Sequence, residues 1–406
     1  MPAQTRIIHF YVCLGAAGGK ECEVIMKILR ITAKGLPLFK ETLDLKFYAQ
    51  QRVADKDKDN LFHLFSNVYL NPTSSFIGIN ASGKTSVLKV LRFVLGMISN
   101  EPINHLSTKH ILGNTNKTVF NTYFFCEERN EIGRLETVIT SKETKTEGLI
   151  YQIVSEKIWT KGVEEVSTRK AMLVFNDKQL VLVRDGKNDF LSDDVSVMIA
   201  YNKKSGTRMS VVYLLVFTNL NILPDFTDIP LEVISFLDPT IESIQFEKNN
   251  EKSIIHLKFR EKQEIFLNNI LEIDHYLSSG TIKGIVTFTI AREILREGGY
   301  LVIDEIENHF NKEIVSTLIR FFKDKQLNKK GGVLFFSTHY PELLDEYDRN
   351  DSIFITRNSN GITVENLCTI LKRNDIKKSE AYESGYLQGT TPSYEAYMKL
   401  KKSMSE

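Results

Sequence analysis

The stretch GINASGKTS, residues 78–86, constrains the fold of this chain more than any other. Gly78 and Gly83, followed at once by Lys84 and Thr85, make the pattern G-x-x-x-x-G-K-[ST] of a loop that cradles phosphates. With glycine near 7% of average usage, chance places this pattern in a chain of this length roughly once in a hundred sequences, so the flanks must decide. Before it, SSFIGI reads as a short apolar strand; after it, KTSVLKVLRFVLGMI sets Val87, Leu88, Leu91, Val94 and Leu95 at helical spacing. Strand, glycine turn and helix together are the setting of a working phosphate loop. Gly78, Asn80, Ala81, Ser82, Gly83, Lys84, Thr85 and Ser86 are then the expected ATP contacts. Backbone N–H groups from Asn80 to Thr85 wrap the phosphates, Lys84 bridges the β and γ oxygens, and Thr85 ligates Mg²⁺.

The rest of the chain divides by its periodicity. From Met26, KILRITAKG and LDLKF alternate around a turn at Gly35 to Pro37, an antiparallel hairpin, and ADKDKDN reads as a loop. In the middle, LIYQIVSEKIW and AMLVFNDKQLVLVRDG read as hairpin strands, PLEVISFLDPTIESI as a helix, and SIIHLKFREKQEIFL as strand again. From Thr281 the pattern changes: TIKGIVTFTIAREILREGG is a helix closed by two glycines, YLVIDE a buried strand, NKEIVSTLIRFFKDKQ a helix and GGVLFFSTH another buried strand. Helices alternating with near-continuous apolar strands imply a parallel α/β sheet. The expected organisation is a P-loop α/β fold, with mixed sheet and parallel core, split by an inserted α+β lobe. Its segments are a poorly ordered extension over 1–25, an N-terminal half over 26–140, the inserted lobe over 141–270, a C-terminal half over 271–360 and a helical tail over 361–406.

Hydrolysis of a nucleotide needs a metal-holding carboxylate, a group that activates water and a γ-phosphate sensor, all at the carboxyl edges of neighbouring strands. YLVIDEIEN ends an apolar strand in Asp304 and Glu305, where Asp304 would hold Mg²⁺ and Glu305 would polarise the attacking water. VLFFSTH ends the next strand in Ser337, Thr338 and His339, where the imidazole would reach the γ-phosphate. Singly, acids or a histidine at a strand end are commonplace; three motifs in one chain are not.

Composition excludes several classes. Lys plus Arg number 52 against 51 Asp plus Glu, so no global basic field advertises nucleic acid. Cys13, Cys22, Cys126 and Cys368 show no C-x-x-C or His-paired spacing, which argues against a zinc site or a disulfide framework. No apolar run reaches the roughly 18 residues of a membrane span. IIHFYVCLGAAGG near the N-terminus has a signal-peptide flavour, yet a phosphate loop needs intracellular ATP, and MKILRITAKGL reads as a fresh start at Met26. A cytoplasmic location without membrane contact is expected, with residues 1–25 an extension or an upstream mis-start.

YLSSGTIKG, residues 276–284, is a Ser-Ser-Gly turn opening a helix shortly before the Asp-Glu strand. In this order of motifs the chain resembles the ATP-binding-cassette (ABC) superfamily, which runs phosphate loop, LSGGQ signature, Asp-Glu strand and switch histidine. Leu277, Ser278, Ser279, Gly280 and Thr281 stand at the five signature positions, Ser279 and Thr281 departing from the transporter form. LSSGT, DEIEN, STHYPELLD and RND at 349–351 resemble the soluble OLD-type ATPases and their RecF and SMC-like relatives, including AAA-family proteins of anti-phage defence systems. The resemblance implies a homodimer or higher homo-oligomer in which Ser278, Ser279 and Gly280 of one protomer complete the ATP site of another. It also implies Glu305 and His339 as catalytic groups and Thr85 and Asp304 as metal ligands. OLD nucleases carry a C-terminal TOPRIM domain; the stretch after His339 is short and lacks an acidic triad, so any effector is expected to be a separate, co-encoded protein. The expectation is a sensor or regulator of that effector in anti-phage defence; the alternative is a RecF-like ATPase clamping DNA.

Overall fold

A computed structural model describes residues 24–114, 116–145, 148–186, 191–214, 229–249, 252–308, 310–387, 389 and 394–405. The extension expected over 1–25 lies outside them except at its end. Val24 and Ile25 already belong to the first strand, β1 (Val24–Lys34), because they pair with Thr207 and Arg208. Around Gly35 to Pro37, β1 turns into β2 (Leu43–Lys46), the expected antiparallel hairpin. ADKDKDN is not a plain loop: Asp55–Asn60 winds into a 3₁₀ helix, and the Asp57 carboxylate accepts from the Ala54 N–H.

β3 (Phe62–Phe65) and β4 (Val68–Leu70) form a small ribbon, and β5 (Thr73–Ile77) leads through the glycine loop into α1 (Lys84–Ile98). An antiparallel meander follows: β6 (Thr118–Cys126), β7 (Glu131–Thr144), β8 (Gly148–Gly162) and β9 (Leu180–Asp185). Next come α2 (Met198–Ser205), β10 (Thr207–Arg208), β11 (Val211–Leu214) and α3 (Leu231–Leu237). A three-stranded sheet is made by β12 (Ile241–Asn249), β13 (Lys252–Phe259) and β14 (Ile265–Leu267). The chain then runs through α4 (Ser279–Glu297), β15 (Tyr300–Ile303), α5 (Lys312–Lys323), β16 (Val333–Thr338), β17 (Ile353–Asn358) and β18 (Ile362–Asn366). It closes with α6 (Leu367–Ile370), α7 (Lys378–Glu383) and α8 (Tyr394–Ser403).

Several segments depart from the sequence reading for local reasons. The helix in PLEVISFLDPTIESI stops at Leu237, since Pro239 disfavours helical geometry at Asp238, which is extended, and IESI becomes the start of β12. Within AMLVFNDKQLVLVRDG only β9 is strand; Ala171–Leu173 is a 3₁₀ turn. Residues 141–270 are shared among three sheets: β7 crosses the 140 boundary within one strand, β11 lies at the edge of the sheet that holds β5, and β12 to β14 form a sheet of their own. The tail drawn from 361 begins with β18, antiparallel to β17, before its helices start.

Two larger sheets organise the fold, which is mixed α/β. One has the order β10-β1-β6-β7-β8-β9, with β2 also on β1; the other is β11-β15-β16-β5-β17-β18, parallel at every pairing except β17 with β18. Because successive side chains in a strand point to opposite faces, β16 sends Val333 and Phe335 into the core shared with α1 and the antiparallel sheet. Its alternate residues, Leu334 and Phe336, enter a second core with α4, α5 and the three-stranded sheet. A sheet buried on both faces explains the unbroken apolar runs. Helix α5 covers only one face and is amphipathic to match, burying Val315, Leu318, Ile319 and Phe322, with Asn311 capping its first turn.

Polar residues lock these layers. RND is a packing knot: Arg349 donates to Asp57 at 2.9 Å and to Asp351 at 3.0 Å, Asp351 accepts from the Gln50 and Gln51 N–H groups, and Asn350 donates to the Leu371 and Arg373 carbonyls. Lys27 on β1 is wholly buried and its ammonium donates to the Gly298, Lys330 and Gly331 carbonyls at 2.7, 2.7 and 2.6 Å. It thereby ties the antiparallel sheet to the end of α4 and to the turn before β16. Burial pushes its pKa down to about 7 against an opposing pull from Glu127. Lys27→Met keeps the apolar stem and strands the acceptors, so it is expected to cost about 3 kcal/mol or more and to lower the melting temperature by several degrees, read by thermal unfolding.

Candidate functional site

β5 is buried along its whole length between β16 and β17, and its carboxyl end opens into the loop at 78–83. The loop is tight. A Cβ on Gly78 would fall 2.3 Å from Ser82 Oγ and 2.4 Å from Thr356 Oγ1, and Gly83 combines φ +102° with Ile362 carbon atoms at 2.7 Å from where a Cβ would sit. Both positions therefore require glycine. From the β17–β18 hairpin, Thr356 Oγ1 meets Ser82 Oγ at 2.8 Å and Asn358 Nδ2 donates to the Ala81 carbonyl at 3.1 Å. These side chains, more than 270 residues away in the chain, hold the loop from outside.

Lys84, 5% exposed, folds back so that Nζ donates to the Gly78 carbonyl at 2.8 Å and the Ile79 carbonyl at 3.2 Å, and it lies 3.2 Å from His339 Nδ1. Burial lowers its pKa below the ordinary lysine range, against an opposing pull from Glu307, Glu305 and Asp304. Thr85 Oγ1 donates to Asp304 Oδ2 at 2.7 Å, while Ser337 Oγ donates to Asp304 Oδ1. Ser337 Oγ also accepts from the Glu305 N–H at 2.7 Å, so one hydroxyl fixes both acids.

Glu305 has φ +49°, the left-handed region, which costs a non-glycine residue about 1 kcal/mol or more. That turn leaves its carboxylate half-exposed, with Oε1 3.5 Å from His339 Nε2. Asn80 to Ser86, Glu305 and His339 line one cavity of about 880 Å³, whose far side is Pro37, Leu38, Asn358, Asn360, Gly361 and Ile362. A separate cleft beside Asp345 and Lys378 contains none of these groups.

The structure thus brings together the loop, Asp304, Glu305 and His339. It does not bring the signature residues to them. Ser278 caps α4, its Oγ accepting from the Thr281 N–H at 3.0 Å; Ser278 and Ser279 are exposed, Gly280 is half-buried, and none of the three lines the cavity. Sequence reading also missed the bridging role of Ser337, the contacts of Thr356 and Asn358, and the bond by which the Glu307 carboxylate accepts from the His339 N–H. Ser337, as a strand-end hydroxyl, and Glu307, as an extra acid in DEIEN, left local signs.

Among the described residues no group of three or more His, Cys, Asp or Glu side chains could hold a metal. Thr85 and Asp304 offer two adjacent hard oxygens, a set that suits Mg²⁺ completed by phosphate and water oxygens. No helix among the described residues is long and apolar enough to cross a membrane.

No protein-family model matches the chain, and no curated protein matches it. Among solved structures the chain is similar to the recombination mediator protein RecF bound to ATP, from the RecFOR pathway, at 11% identity and a TM-score of 0.39, over 86% of this chain and 100% of that one.

Lys84 carries the one ammonium lining the cavity among the described residues. Lys84→Ala is expected to weaken ATP binding by roughly 10- to 100-fold, the loss typical of charge-assisted hydrogen bonds, as measured by calorimetric titration.

Proposed function

We propose that this protein is an ABC-type ATPase that binds ATP with Mg²⁺ and hydrolyses it at the cavity between the glycine loop and the ends of β15 and β16. The observation that carries this reading is the Thr85–Asp304 hydrogen bond at 2.7 Å with Glu305 and His339 beside it on the same sheet edge. Bound Mg²⁺, held by Thr85 and Asp304, would supply neutralisation of phosphate charge. Lys84 now spends its donors on loop carbonyls, and phosphate oxygens would accept them instead. Glu305, half-exposed at the cavity wall, is the carboxylate suited to draw a proton from water. His339, between Lys84 and Glu305, is suited to sense the terminal phosphate.

The N-terminal half, the lobe and the C-terminal half are read as one ABC head carrying an insertion. Its signature turn is exposed and away from its own cavity, which supports service to a second copy in a homodimer. The wider role, control of a separate co-encoded effector in anti-phage defence, is supported by the motif resemblance alone.

Glu305→Gln is expected to leave ATP affinity intact, slow phosphate release about a hundredfold or more and trap an ATP-bound dimer, measured by turnover and light scattering. A native rate would transfer the role of base to another carboxylate, Glu307 first. Ser278→Arg and Lys84→Ala chains should each be inactive alone and regain partial activity when mixed, because one mixed site pairs an intact loop with an intact signature. Activity of isolated Ser278→Arg monomers would remove the shared site. Co-purification with neighbouring gene products, with and without a nonhydrolysable ATP analogue, tests the effector; retention of DNA in ATP with no protein partner would replace the defence role with the DNA-clamping one.

A further inference from the structure

Glu307 is a carboxylate that the chemistry above does not use. It sits on the turn after β15 and is 8% exposed. Oε1 accepts a hydrogen bond from the His339 backbone N–H at 2.6 Å, while Oε2 is buried without a hydrogen-bond partner. Withholding half a carboxylate from water is costly, so what its other oxygen holds has to be worth that cost. Nearby Lys84 offsets the charge, but an offset explains tolerance and not purpose.

The purpose lies in how β16 ends. Its ladder with β15 runs as far as Phe336↔Ile303 and its ladder with β5 as far as Thr338↔Ile77, so both stop before His339. Just beyond, the Thr338 hydroxyl accepts from the Tyr340 N–H and turns the chain away. His339 is therefore the first residue past the sheet, yet its ring has to sit 3.2 Å from Lys84 Nζ and 3.5 Å from Glu305 Oε1. Neither of those contacts involves its backbone. The Glu307 carboxylate supplies the acceptor that the sheet no longer provides, and it comes from the same turn that aims Glu305.

We propose that Glu307 is a positioning residue for His339: by holding the His339 N–H it fixes the imidazole between Lys84 and Glu305, so that the two acids of one turn set both the water-activating group and the phosphate sensor. This rests on the ATPase reading and deepens it. Glu307 touches neither nucleotide nor water in this role; it acts through His339. Its loss should therefore lower turnover while leaving ATP affinity in place.

Two conservative variants separate the hydrogen bond from the charge. Glu307→Asp keeps the charge but is one methylene too short to reach the His339 N–H; Glu307→Gln keeps the reach and an acceptor oxygen but loses the charge. Glu307→Asp is expected to lower kcat roughly 10- to 100-fold, as for a misplaced catalytic group, with ATP affinity changed less than about threefold. Glu307→Gln should stay within about threefold of the native kcat. Since both residues act as one unit, Glu307→Asp combined with His339→Ala should be no slower than His339→Ala alone. A native rate for Glu307→Asp beside a slow His339→Ala would overturn the inference, as would losses that multiply in the double variant. Slowing by Glu307→Gln without slowing by Glu307→Asp would assign the effect to charge and overturn it too. A fall in kcat accompanied by falls in ATP affinity and melting temperature would mark Glu307 as scaffold only, and the inference would be overturned in that case as well. A native rate for His339→Ala would remove the sensor role of His339 and the inference with it, whereas no hydrolysis by the unchanged protein would instead overturn the ATPase reading on which the inference rests.

Discussion

β5, β15, β16 and β17 run parallel, and this fixes everything at the candidate site. Parallel strands present all their carboxyl ends to one edge, so three turns that are distant in sequence open side by side. Each strand is short, and β5, β15 and β16 are buried along their whole length. Gly78, Asp304 and His339 are adjacent because the ladders that precede them are in register. The Asp304 carboxylate then joins the elements, taking the Thr85 hydroxyl from α1 on one oxygen and the Ser337 hydroxyl from β16 on the other.

The electrostatics follow from the same crowding. One ammonium, the buried Lys84, faces Asp304, Glu305 and Glu307. Burial disfavours its charge and the acids restore part of it, which leaves a cation whose donors rest on the carbonyls of its own loop. At the same edge the left-handed Glu305 adds local backbone strain.

Much of this was legible in the chain because it was written locally. The loop and its helix lie within one window, and α4, β15, α5 and β16 alternate between a period near 3.6 and solid apolar runs. What lay across the chain was not. Thr356 and Asn358 brace the loop through the strand order of the sheet, and no spacing in sequence encodes that adjacency. The 140 boundary falls inside one strand, since Glu131–Thr144 pairs with β8 on both sides of it. Pro239 could have ended the helix of α3 on paper, since it forbids what the apolar spacing invited. Ser337 was visible as a strand-end hydroxyl, but its choice of two acids as partners depends on β15 lying beside β16.

Helix α4 begins at the exposed Ser278 turn and ends at Gly298, whose carbonyl is held by Lys27. At 1.5 Å per residue its 19 residues make a rod about 28 Å long. Apolar residues along its length are buried in the second core, so the helix runs from an exposed first turn to the Lys27 contact at its end. Lys27 also holds the Lys330 and Gly331 carbonyls, and that turn leads into β16, so the end of α4 and the root of the strand before His339 share one buried lysine.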